Sequence, residues 1–129
     1  DSVPGLERLK RKFLIGPLSN GSLVLLASLA KHASLPWDFI LSSDIFRAYK
    51  KDPKVYLGAI DLMGLKASEI LMVAAHNDDL EAAASHGIKT AFVNRNYEYG
   101  VDQIKDFSAE KTWDIIAEDI QDIATQLNC

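Results

Sequence analysis

The sequence predicts an α/β fold in which a parallel sheet carries helices on both faces. Ile70-Leu71-Met72-Val73-Ala74-Ala75 is an unbroken apolar run, as a strand buried on both faces requires. Asp52-Pro53 opens a helix and Gly64 closes it, with Val55, Ala59 and Leu62 on one face between them. Short β-rich runs and helical periods alternate along the rest of the chain, the pattern of right-handed β-α-β crossovers.

Taken in order, Leu6 and Leu9 lie on a short amphipathic stretch. The basic residues Arg8, Lys10, Arg11 and Lys12 beside them read as a solvated helix face. Phe13-Leu14-Ile15-Gly16-Pro17-Leu18 reads as a central strand that ends in the turn Ser19-Asn20-Gly21-Ser22. Leu23, Leu26, Ala27 and Ala30 recur at helical spacing, Pro36 punctuates, and Phe39-Ile40-Leu41 gives a second strand. The third strand is the run at 70–75, after which Asp78 or Asp79 can cap a helix that Gly87 ends. Residues 88–93 give a fourth strand. Trp113, Ile116, Ile120, Ile123 and Leu127 predict a C-terminal amphipathic helix of about four turns.

The 129 residues are enough for one domain, taken as 1–129. A formal charge of −4 and a pI near 5.3 exclude a general nucleic-acid binder, which needs a basic face. No apolar run is long enough to cross a membrane. Cys129 is the single cysteine, so no internal disulfide can form; a reducing, cytoplasmic location is expected.

Parallel α/β sheets bind ligands at the carboxyl ends of their strands, so the residues just after each apolar run are the functional shortlist. Ser19-Asn20-Gly21 stands where a strand meets a helix N-terminus and reads either as a cap and turn or as an anion site. Residues 42–44 come after the second strand. Lys50 precedes a helix N-terminus, against the preference of the helix dipole, and reads either as the partner of a group such as a carboxylate ligand or as one of three exposed loop lysines. His76-Asn77-Asp78-Asp79 closes the most apolar strand with groups fit for general base work, oxygen ligation or capping. His32 and His86 fall near helix ends and read as solvated or dipole partners.

In their order these motifs resemble the haloacid dehalogenase superfamily, specifically the L-2-haloacid dehalogenases (type II). Leu18-Ser19-Asn20-Gly21-Ser22 resembles the second family motif, whose Ser and Asn hold the substrate carboxylate. Lys50-Lys51-Asp52-Pro53-Lys54-Val55-Tyr56 resembles the Lys-Pro-Asp-Pro-x-x-Tyr segment, with Lys51 in place of the usual Pro. The match makes Lys50 the motif lysine, Asp52 its buried partner and Tyr56 a site-lining residue. Residues 72–80 resemble the fourth motif, with Asp79 at the acidic position credited with orienting water. Residues 87–95 resemble the next family strand.

The resemblance implies a three-layer Rossmann-like core and a hydrolase that dehalogenates small 2-haloacids through an aspartyl ester, with no cofactor and no metal. Lys50 and Asp79 would be the catalytic residues, and Ser19, Asn20, Tyr56, His76 and Asn77 would face a small carboxylate substrate. The family nucleophile, an Asp closing an apolar strand, has no counterpart ahead of Phe13, and neither has the helical cap. Family topology places that strand between the runs at 13–18 and 70–75. The expectation is therefore a C-terminal part of the core, inactive by itself. Its empty slot would be closed by a homodimer, by an N-terminal fragment, or by the two runs pairing directly. Ala75 stands at or beside the place of a magnesium-binding Asp, which weighs against a phosphatase-type member. A non-catalytic module that keeps the anion site is the remaining alternative.

Overall fold

A computed structural model describes residues 1–129. The elements in chain order are α1 (Ser2–Lys10), β1 (Leu18–Ser19), α2 (Leu23–His32), β2 (Leu41–Ser42), α3 (Ser43–Phe46), α4 (Pro53–Met63), β3 (Leu71–Ala74), α5 (Asn77–Ser85), β4 (Lys89–Val93), β5 (Ile115–Ala117) and α6 (Ile120–Gln126). All strand pairings are parallel. β1 and β2 form one sheet; β3, β4 and β5 form a second in that order.

Side-chain alternation along β3 sets the layers. Leu71, Val73 and Ala75 pack with Leu9, Ala91, Val93, Ile123 and Ala124 on the face covered by α1 and α6. Ile70 and Met72 turn the other way and join Val55, Tyr56, Ala83 and Ile88 beneath α4 and α5. Leu18 of β1 reaches the same cluster, so α4 ties the two sheets together. Gly5 lets α1 lie directly on α6, since a Cβ there would fall 2.7 Å from the Ile120 carbonyl carbon.

The helix from Pro53 to Met63 forms as its signals require. Asp52 caps it by accepting from the Lys54 N–H, and Gly64 closes it with φ of 65°. As that cap, Asp52 is exposed and is not the buried partner of Lys50. The peptide between Lys50 and Lys51 is cis.

Three other expectations are corrected. Only Leu18 of the run at 13–18 is in a strand, and Phe13 and Leu14 are exposed, so this is no central strand. It does not pair with β3 either, and the two sheets share no strand–strand hydrogen bonds. The C-terminal helix begins only at Ile120, because Ile115–Ala117 pairs with β4 and Asp119 caps α6 by accepting from the Asp122 N–H. Finally, the basic cluster of α1 is not simply solvated. Lys10, Arg11 and Lys12 are exposed as expected. But Arg8 donates to the Cys129 carbonyl and Lys12 to that of Leu127, both just past the C-terminal end of α6, and Arg8 also reaches the Gln121 carbonyl in its first turn.

Candidate active site

The carboxyl ends of β1, β2 and β3 converge on one charged cluster, built from both sheets. From the first sheet comes the turn at Asn20, locked by the end of β2 and the start of α3: Ser42 Oγ donates to the Gly21 carbonyl and Ser43 Oγ to that of Asn20. The Asn20 Oδ1 accepts from the Lys50 backbone N–H at 2.6 Å and so sets the path of the lysine segment. Ser19 Oγ accepts from the Gly21 N–H. Both side chains thus commit an acceptor to the fold, while the Ser19 hydroxyl and the Asn20 amide keep donors to give.

From the second sheet comes Asp79, on the first turn of α5. Its Oδ2 lies 2.5 Å from Lys50 Nζ and its Oδ1 accepts from the Tyr56 hydroxyl at 2.6 Å. Asp79 is buried, Tyr56 fully so, and the Lys50 side chain is 19% exposed. Burial, followed by the hydrogen bond to Asp79 and its charge, pushes the Tyr56 phenol well above its ordinary value. Tyr56 therefore keeps its proton and is a fixed hydrogen-bond donor to the carboxylate. Next to this pair, Lys51 Nζ meets Asp78 Oδ2 at 2.5 Å in a more exposed bridge. The hydrogen bond from Lys51 holds the Asp78 carboxyl below its usual range, and the same contact raises the Lys51 ammonium.

Of the seven expected site residues, Lys50, Asp79 and Tyr56 are in direct contact, and Asn20 joins them through the Lys50 backbone. Ser19 adjoins Asn20. His76 and Asn77 are turned elsewhere. His76 Nε2 meets Glu98 Oε2 at 2.8 Å and the Tyr99 hydroxyl at 3.0 Å. The Asn77 amide is used up by the chain itself: Nδ2 donates to Asp106 and to the Ser108 carbonyl, while Oδ1 accepts from the Glu110 N–H and Trp113 Nε1. It organises the 106–113 segment and keeps no donor for a substrate.

Two residues absent from the expected set take the anion's place at helix starts. Asp44 Oδ2 accepts from the Leu23 N–H at the N-terminus of α2, and Ser22 caps the same helix through the Leu25 N–H. Asp106 Oδ1 accepts from the Asn77 N–H at the start of α5, a duty expected of Asp78 or Asp79. Asp44 belongs to the strand-end shortlist, where it has no assigned role. Asp106 carries no sequence signal, because its partner is 29 residues away. No group of three or more His, Cys, Asp and Glu side chains is arranged to hold a metal ion. No helix is long and apolar enough to cross a membrane.

A family model described as haloacid dehalogenase-like hydrolase matches residues 1–87. The (S)-2-haloacid dehalogenase 4A of Burkholderia cepacia is 30% identical over 128 residues, which cover 93% of this chain and 55% of that protein. The crystal structure of a defluorinating L-2-haloacid dehalogenase superposes on the whole chain with a TM-score of 0.97 at 50% identity, and 53% of it is covered. A second L-2-haloacid dehalogenase structure gives a TM-score of 0.98 at 47% identity, with 99% of this chain and 55% of that one covered. The chain spans about half the length of the relatives it matches.

Proposed function

Because the chain belongs to the haloacid dehalogenase-like hydrolases, we propose that its charged cluster is the substrate-carboxylate and water-handling half of a 2-haloacid dehalogenase site. The observation that carries the reading is Asp79, which is buried at a strand end between Lys50 and Tyr56 with both oxygens engaged. A carboxylate so held is fixed in orientation, yet it retains lone pairs with which to accept a proton from a water molecule.

In this reading the Ser19 hydroxyl, the Asn20 amide and the Lys50 ammonium receive the carboxylate of a small 2-haloacid. A strand lying between β1 and β3 supplies an aspartate. Its carboxylate oxygen attacks C2 of the substrate, the carbon–halogen bond breaks with its electron pair, and halide leaves. The resulting ester opens when water, oriented by Asp79, attacks the ester carbonyl carbon. The 2-hydroxyacid then departs and the aspartate is regenerated. Tyr56 and Lys50 hold Asp79 still throughout, which is positioning before chemistry.

The 129-residue polypeptide assayed alone on L-2-chloropropionate is expected to release no halide at an enzymatic rate, because none of its residues is placed as the nucleophile. Halide release by this polypeptide would overturn the assignment of the attacking aspartate to another strand. A chain of the relatives' full length should be active; if it binds small carboxylates without turnover, the site is a binding module instead.

A further inference from the structure

The stretch 95–102 bears on the site from outside it. It is fixed at one end by the Asn94 N–H, which donates to the Ala117 carbonyl, and at the other by buried Gln103. Between these points every residue from Asn96 to Asp102 is exposed, Tyr97 at 80% and Val101 at 91%. Its backbone hydrogen bonds are local. Glu98 N–H donates to the Arg95 carbonyl, Gly100 N–H to that of Tyr97, and Gln103 N–H to that of Gly100. The segment is thus a self-contained coil of turns, with Gly100 at φ of 76° making one of them.

His76 joins the middle of this stretch to the core. The imidazole stacks on the Tyr99 ring with 5.9 Å between centroids and 17° between planes. Its Nε2 faces both Glu98 Oε2 and the Tyr99 hydroxyl. Arg95, at the foot of the segment, is paired with Asp1. His76 is also the residue that precedes α5, three positions before Asp79. One side chain therefore connects the segment to the turn that carries the central carboxylate.

We propose that residues 95–102 form a hinged flap at the carboxyl end of β3, and that His76 is its latch. The assignment gives His76 a role other than substrate contact. Held at its middle through one side chain and at its foot through Arg95, the segment swings outward when the stack and the two Nε2 contacts break, and its exposed local turns, no longer held in place, open more often. That opening controls water access to Asp79 is the one part that rests on the dehalogenase reading; the latch itself does not.

Amide hydrogen exchange resolved by NMR on the 129-residue chain tests it without any substrate. His76→Ala should speed exchange at Glu98, Tyr99, Gly100 and Gln103 by about tenfold, the change expected for losing hydrogen bonds of ordinary net strength, and leave β4 and the later turns of α5 as they were. Tyr99→Ala, made from the flap side, should accelerate the remaining flap amides equally. Unchanged flap exchange in both variants, or acceleration spread evenly through α5 and β4, would overturn the latch. Absence of halide release by the full-length protein, with flap exchange responding as expected, would instead count against the dehalogenase reading and leave the latch standing.

Discussion

Lys50 Nζ and Asp79 Oδ2 stand 2.5 Å apart and join two sheets between which no strand–strand hydrogen bond runs. Lys50 comes after strand β2 of one sheet and Asp79 after β3 of the other. The pair therefore ties the sheets together besides serving the proposed reaction, and a nearby control isolates the structural part. Lys51 and Asp78 are the same residue types at the same separation, but their side chains are 48% and 46% exposed, against 19% and 9% for Lys50 and Asp79.

Truncating each lysine should expose that difference. Lys50→Ala leaves a buried carboxylate without its cation and is expected to cost about 3 kcal/mol. Lys51→Ala releases a solvated aspartate and should cost less than about 1 kcal/mol. Urea unfolding of both variants measures the two costs directly. Equal losses would mean that solvent reaches Asp79 as freely as it reaches Asp78.

For turnover the comparison is between Lys50, Asp79 and His76. In protein of the relatives' full length, Lys50→Ala and Asp79→Asn should each lower kcat by about two orders of magnitude or more, as expected for a positioned catalytic group. His76→Asn should lower it less, since the ring faces Glu98 and Tyr99, away from the Lys50–Asp79 pair. Steady-state halide release with the three variants decides, and a larger fall for His76→Asn would identify a different base.

The sequence singles out Lys50 and Asp79 one at a time, Lys50 because it opposes a helix dipole and Asp79 because it closes the most apolar strand. It does not pair them: the partner expected for Lys50 is Asp52, and the contact with Asp79 spans 29 residues. The cap at Asp52 and the stop at Gly64 are local and form as read. The features that escape are non-local. Ile116, Ile120 and Ile123 fit a helical period, yet Ile115–Ala117 is a strand because β4 offers an edge to it. Asn77 is free for a ligand only until the 106–113 segment folds over it. Asp52 could cap its helix or be buried beside Lys50, but not both, and capping prevails.

Tyr56 predicts an alkaline signature. Its phenol is raised above the ordinary value by burial, while in the unfolded chain it titrates near pH 10. Below about pH 10 both states keep the proton, and the contribution to stability is whole. Above that the unfolded state binds fewer protons than the folded one, so stability falls by about 1.4 kcal/mol per pH unit. Tyr56→Phe should be less stable near neutrality by about 1–3 kcal/mol, having left an Asp79 oxygen without its donor. It should also show a shallower alkaline decline. Urea midpoints from pH 8 to 11 test both; identical slopes would place the phenol in contact with solvent.

The last prediction concerns the two sheet edges. β1 pairs only with β2, and β3 only with β4, so each presents one edge with no strand on it. All four residues of β3 are apolar and only half-buried, although its composition is that of a strand enclosed on both faces. Nothing within β3 guards the edge: it has no charge, no proline and no bulge. The apolar helix α2 adds to the exposure, since none of its residues is buried and Val24 is 75% exposed. Leu71 to Ala74 should therefore accept a parallel strand, from a second copy or from a segment of the kind that fills the other half of the full-length relatives. With direct pairing of the two runs excluded by the fold, the 129-residue polypeptide is expected not to persist as a lone monomer. Size-exclusion chromatography with light scattering, followed by denaturing mass analysis, reads the outcome. A mass near twice 14.3 kDa, or a second polypeptide retained through purification, supports strand capture. A single monodisperse species of 14.3 kDa would show that the edge is stable when unpaired.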